Sequence, residues 1–235
     1  MSQTGLPHDV VLYPCSDGQP MAETDLHAAC MVYVTSALRW WFEKHGREDV
    51  YVGSNNFLYY ERGNPGAVVA PDVYVVVGAP AHLRDTYLLW NEPKGPDFVL
   101  EVTSKSTRDT DEQRKREVYA SLGVKEYFLY DPRAEYLAPP LQGFWLHEGE
   151  YRALPAVTVL SNRGVAVASE VLGLELRDER EARMVRLRDP VTGEDLLSHR
   201  ELELAREEEA AARRAAEARI RELERALAAT RKPAE

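Results

Sequence analysis

The stretch from Pro96 to Pro132 limits the fold more than any other part of this chain. PDFVLEVT is a short apolar run, DEQRKREVYASLG a charged run with helical spacing that stops at a glycine, and EYFLY a second apolar run closed by Asp131-Pro132. Strand, helix and strand joined by short connections make a β-α-β unit, whose two strands run parallel through a right-handed crossover. Neither strand alternates polar with apolar residues, so both must be covered on two faces. That requires a sheet with a layer on each side. In such sheets the ligand side is the carboxyl end of the strands, which is where Glu101 stands.

The flanking sequence supplies those layers. From about Glu23 to Lys44, apolar residues at Leu26, Cys30, Tyr33, Val34, Ala37 and Trp41 have the spacing of an amphipathic helix, stopped by Gly46. Tyr51–Glu61 and Ala67–Val77 flank the turn signal RGNPG, which predicts a β-hairpin whose second arm, VVAPDVYVVV, is buried on both faces. Beyond Pro139, short strands such as FWLHEGEYRAL and ARMVRLRDPVTGE are expected to complete one mixed sheet with no second core. The fold class is therefore α/β, a mixed sheet flanked by helices over residues 1–198. Residues 199–235 form a separate Ala/Glu/Arg-rich helix. Its apolar positions, Leu202, Ala205, Ala212, Ala216, Ile220, Leu223 and Leu227, lie mostly three or four apart, as in a coiled coil. Its alanine-rich seam, interrupted by Glu209, fits a solvated helix held by i,i+4 Glu/Arg pairs equally well.

Charge narrows the function classes. Residues 199–235 hold nine Lys/Arg and nine Glu and are neutral, so the globular part alone carries the net charge of −10. A general nucleic-acid coat needs a basic footprint, which is missing. Contact with DNA or RNA then requires a local basic patch or metal ions that mask acidic groups. No apolar run is long enough to span a membrane, and the N-terminus MSQTGLPHDVVLYP lacks the basic-then-apolar order of a secretory signal, so the expected location is cytoplasmic. Cys15 and Cys30 lack metal-ligand spacing and are read as structural, reduced thiols.

Chemistry concentrates on three residues. Asp72 follows Pro71 inside an apolar stretch, and Glu101 is surrounded by Phe98, Val99, Leu100 and Val102; a lone carboxylate at either place is costly to desolvate unless something binds it. At the ends of neighbouring buried strands they make a hard oxygen site suited to Mg²⁺ or Mn²⁺. Capping or salt-bridged acids would look the same in sequence. On the helix that follows, Val118, Tyr119 and Leu122 form the apolar face, and Lys115 projects at its centre, aimed at the sheet. The alternative is a snorkelling lysine whose ammonium escapes to water. Lys105 shares the face of Glu101 by strand alternation but stands in Ser-Lys-Ser-Thr, a turn leaving the strand. On the first helix, Glu23 is read as a charge favouring the helix dipole and His27 as a candidate base or a packed histidine; Tyr119, on the later helix with Lys115, reads as core.

APDVYVV, PDFVLEVTSKST and DEQRKREVYASLGVKEYFLYDP together resemble the Uma-type family of putative restriction endonucleases, a branch of the PD-(D/E)XK nuclease superfamily. SDGQPMAETDLH, PPLQGFWL and the C-terminal helix extend the resemblance over nearly the whole chain. It implies a restriction-endonuclease-like fold and Mg²⁺-dependent (or Mn²⁺-dependent) hydrolysis of DNA, with Asp72 and Glu101 as metal ligands and the Val102 carbonyl as a further one. By likeness to the helix acids of many such nucleases, Glu23 is alternatively an accessory acid. The superfamily's lysine two positions after the second acid is replaced by Thr103; the Uma-type pattern moves it to the helix, four residues before a tyrosine, which Lys115 and Tyr119 match. Homodimerisation is expected if both strands of a duplex are cut. The missing in-strand lysine and the acidic domain suit an alternative, a catalytically inactive module that binds nucleic acid or a protein partner.

Overall fold

A computed structural model of the chain describes residues 11–16, 24–103, 110–159 and 164–230. In chain order its elements are α1 (Asp25–Lys44), β1 (Val50–Gly53), β2 (Leu58–Tyr59), β3 (Val68–Val69), β4 (Val73–Val77), β5 (Tyr87–Leu88), β6 (Phe98–Val102), α2 (Thr110–Ser121), β7 (Glu126–Tyr130), β8 (Leu141–His147), β9 (Glu150–Ala153), β10 (Ala156–Val159), β11 (Gly164–Ser169), β12 (Leu174–Glu179), β13 (Met184–Arg188) and α3 (His199–Thr230). Residues 1–196 form one compact unit and 197–235 another.

The first unit is built on a six-stranded mixed sheet in the order β1-β4-β6-β7-β8-β9. Among the described residues its one parallel pair is β6 with β7, joined through α2 as the β-α-β reading predicts. Alternation along β6 then sorts its side chains between two cores. Phe98, Leu100 and Val102 join α1 residues such as Cys30, Val34 and Leu38 on one face, while Val99 joins Tyr119, Val124 and Tyr127 on the other. Glu101 belongs to the second set by the same alternation, and so faces the layer that carries α2.

Two expectations need correction. The hairpin arms are each interrupted: β1 pairs with β4, β2 pairs with β3, and a break separates the two pairs. Pro71 has no N–H to give a ladder, and Asn55, at φ 50°, turns the opposite strand. Side-chain and backbone bonds close the gap, Asn55 N to Pro71 O at 3.0 Å and Ser54 Oγ to Asp72 O at 2.7 Å. The break therefore anchors the backbone of Asp72. Secondly, the C-terminal strands do not all complete one sheet. β8 and β9 extend the first sheet, but β10-β11-β12-β13 form a separate antiparallel sheet. In β12 and β13 buried and half-buried positions alternate, as in a sheet covered on one face only. Their buried side chains, Leu174, Leu176, Val185 and Leu187, pack into the α1 core. Gly143 in β8 permits the close crossing, since a Cβ there would lie 2.8 Å from Val167 Cγ1.

Cys30 is fully buried with its Sγ 3.5 Å from Met184 Sδ, and burial pushes its thiol up to about 11; Cys15 is exposed, and both are free thiols. The second unit begins with a reciprocal cap, Ser198 N to Glu201 Oε2 at 2.7 Å and Glu201 N to Ser198 Oγ at 3.3 Å. Along α3, Arg213–Glu217 and Arg219–Glu222 pair on the surface, and Leu204, Ile220, Leu223 and Leu227 are exposed. No helix among the described residues is long and apolar enough to cross a membrane.

Candidate functional site

β4 and β6 are antiparallel with Val73 opposite Leu100. Continuing that register by one residue sets Asp72, at the start of β4, opposite Glu101, near the end of β6. Two carboxylates far apart in sequence thus arrive at one edge of the sheet, each almost fully buried, at 6% and 5% exposure. The Val102 N–H, which has no strand partner to serve on that side, donates to Asp72 Oδ2 at 2.7 Å. His27 Nε2, one turn into α1, lies 3.1 Å from the same oxygen.

Glu101 is held from α2. Lys115 Nζ is 2.9 Å from Glu101 Oε2, and the Tyr119 hydroxyl donates to Glu101 Oε1 at 2.6 Å. The four-residue spacing puts both side chains on one helix face, so each oxygen of the carboxylate has its own donor. Tyr119 is fully buried, as expected for core, but its hydroxyl belongs to the site; a tyrosine one turn from a lysine on a buried face was the signal available in the sequence. Burial is the largest influence on Glu101 and raises its carboxyl; the Lys115 ammonium lowers it, Asp72 raises it and Tyr119 lowers it, leaving it at about 7. Burial and then Glu101 push the Tyr119 hydroxyl well above its usual range.

The structure thus brings together Asp72, Glu101, Lys115, the Val102 backbone and His27. Glu23 and Lys105 lie outside the described residues. Among the described residues, no three His, Cys, Asp or Glu side chains converge as a cage for a metal ion. The donor chemistry nevertheless fits a hard divalent cation. Glu101 is buried beyond what its surroundings readily tolerate as an anion, as its raised carboxyl records, and the carboxylate of Asp72 is buried beside it. Mg²⁺ in particular is held by one or two carboxylates and keeps water on its other positions.

Two clefts are lined by residues that contact this pair, Lys115 in one and His27 in the other. One, of about 440 Å³, is lined by Phe57, Tyr59, Val68, Arg114 and Lys115, so the Lys115 ammonium has access to solvent. The other, of about 290 Å³, is lined by Thr24, His27, Thr103, Arg133 and Tyr136.

Residues 9–178 match the Uma2 family, described as "Putative restriction endonuclease", and the chain belongs to that family. Among solved structures, a protein from Anabaena variabilis ATCC 29413 described as "a putative nuclease belonging to DUF820" is 16% identical over 60% of this chain and 75% of its own, with a TM-score of 0.43. No curated protein matches.

Proposed function

We propose that the chain is a divalent-metal-dependent endonuclease that hydrolyses phosphodiester bonds in DNA. Asp72 and Glu101 would hold Mg²⁺ or Mn²⁺, with the Val102 carbonyl as a further ligand. When bound, such an ion makes water more acidic and offsets negative charge on a phosphate. The residues of the chain supply the rest. Asp72 is fixed through Ser54 and Val102, and Glu101 through Tyr119, so both carboxylates are set before substrate arrives. Lys115 presents an ammonium at the junction of the carboxylate pair and the larger cleft, where it can donate to a phosphate oxygen or to the attacking water as charge develops.

The observation that carries this reading is the 2.9 Å contact of Lys115 with Glu101 beside Asp72. A lysine buried to 17% side-chain exposure against one of two adjacent carboxylates is costly as mere stabilisation and useful for hydrolysis. The test is a DNA cleavage assay with Mg²⁺ or Mn²⁺ on the wild type, Asp72→Ala and Lys115→Ala. Each substitution is expected to lower the rate by about 100-fold or more. Cleavage unchanged by both would place the activity elsewhere, and wild type that binds DNA without cutting would make the chain a non-hydrolytic binding module. A homodimer, paired through the exposed apolar positions of α3, would place two such sites on the two strands of a duplex.

A further inference from the structure

The smaller cleft contains a group that the hydrolytic centre does not use. Thr103 ends β6 two residues after Glu101; the residue is 7% exposed, and its Oγ1 is buried with no hydrogen-bond partner among the described residues. An unsatisfied buried hydroxyl is destabilising, and Thr103 itself lines the cleft, with this hydroxyl just beneath its wall. Arg133 stands at the rim. The residue is exposed and its side chain makes no hydrogen bond or ion pair among the described residues, while its backbone is fixed: Asp131 accepts from Arg133 N at 3.0 Å, Tyr136 N at 2.6 Å and Leu137 N at 3.1 Å. The loop therefore holds Arg133 in place without occupying its charge. The N-terminus of α1, capped by Thr24, opens on the same space and adds the positive end of a long helix. Glu135 shares the wall, but it is exposed and engaged by the Tyr136 hydroxyl.

A rim arginine, a buried hydroxyl and a helix N-terminus together suit an anion with several acceptor oxygens. His27 lines this cleft and touches Asp72, so such an anion would sit next to the carboxylate pair. We infer that Thr103 and Arg133 form a second phosphate subsite, which holds the backbone phosphate adjacent to the one at Asp72 and Glu101. The inference rests on reading that pair as the hydrolytic centre. It also explains how an acidic domain holds a polyanion, by seating individual phosphates rather than presenting a basic surface.

The test uses the full chain and a short fluorescein-labelled DNA duplex, with anisotropy titrations over a range of salt beside cleavage kinetics in Mg²⁺. Arg133→Gln is expected to weaken binding about tenfold and to reduce the slope of log K against log salt by about one phosphate contact, with KM raised and kcat little changed. Arg133→Lys should restore the slope. Thr103→Val, which removes only the hydroxyl, should weaken binding by about threefold at unchanged slope. Wild type that cuts while Arg133→Gln and Thr103→Val bind and cut like it overturns the subsite and leaves the hydrolytic centre standing. Wild type that binds without cutting overturns the hydrolytic reading, and the salt slopes still decide the subsite. Wild type that neither binds nor cuts overturns both.

Discussion

Glu101 is pulled between burial, which favours the neutral acid, and Lys115 and Tyr119, which favour the anion. Its carboxyl stands at about 7 in the folded chain against an ordinary 4.5. The folded state therefore binds the proton more tightly than the unfolded one. This contribution to stability is fully present below 4.5 and is lost as pH rises through about 7. Without divalent cations, the melting temperature of wild type relative to Glu101→Gln is expected to fall between about pH 5 and about pH 8. Added Mg²⁺ should reverse the fall, since a cation takes over the charge that burial penalises. Parallel melting curves for the two proteins across that range would count against this account of Glu101. Much of this residue-scale picture was readable beforehand. Lys115 could be chosen from helical angle and from its place before Tyr119, but that Tyr119 donates to Glu101 depends on how closely α2 settles on the sheet.

At the scale of elements, β6 carries a second buried carboxylate just before its first residue, with the opposite dependence on pH. Asp97 is 1% exposed and accepts from Lys94 Nζ at 2.6 Å and Val77 N at 2.9 Å, with Lys125 Nζ 2.9 Å away. Burial alone would raise its carboxyl, but the two ammoniums and the N–H outweigh it and the net shift is downward from 3.8. Its contribution to stability is thus present above 3.8 and lost as pH falls through the lower folded value. Asp97→Asn should cost about 2 kcal/mol in urea unfolding at neutral pH. The difference from wild type should shrink in acid; a difference that persists there would assign the effect to packing. Because Lys94 and Val77 precede β6 and Lys125 precedes β7, this carboxylate fixes how β4, β6 and β7 line up. That alignment in turn sets Asp72 opposite Glu101. The sequence indicated each strand but not these ties, because the lysines lie in loops without periodicity. It likewise missed the second sheet, which Glu126 joins to the first by accepting from Ser169 Oγ and the N–H groups of Glu170 and Val171.

At the scale of the whole molecule, charge and exposed apolar surface are distributed unevenly along the chain. The globular part carries the entire net charge of −10, while residues 199–235 are neutral; α3, 32 residues long, exposes Ile220, Leu223 and Leu227 at spacings of three and four. If the chain pairs through α3 as a coiled coil, truncation after Ser198 is expected to lower the oligomer size in sedimentation velocity; an unaltered sedimentation profile rejects α3 as a self-association contact.

The sequence by itself determined the β-α-β unit, the doubly buried strands, the two carboxylates and the lysine on the helix, because period and polarity are local properties that a linear text records. Tertiary structure alone decided that residues 72 and 101 stand opposite each other, that the last strands form their own sheet, and that Thr103 and Arg133 share a cleft. Those outcomes depend on register, sheet crossing and loop closure between residues distant along the chain, and no local pattern encodes a distance between them.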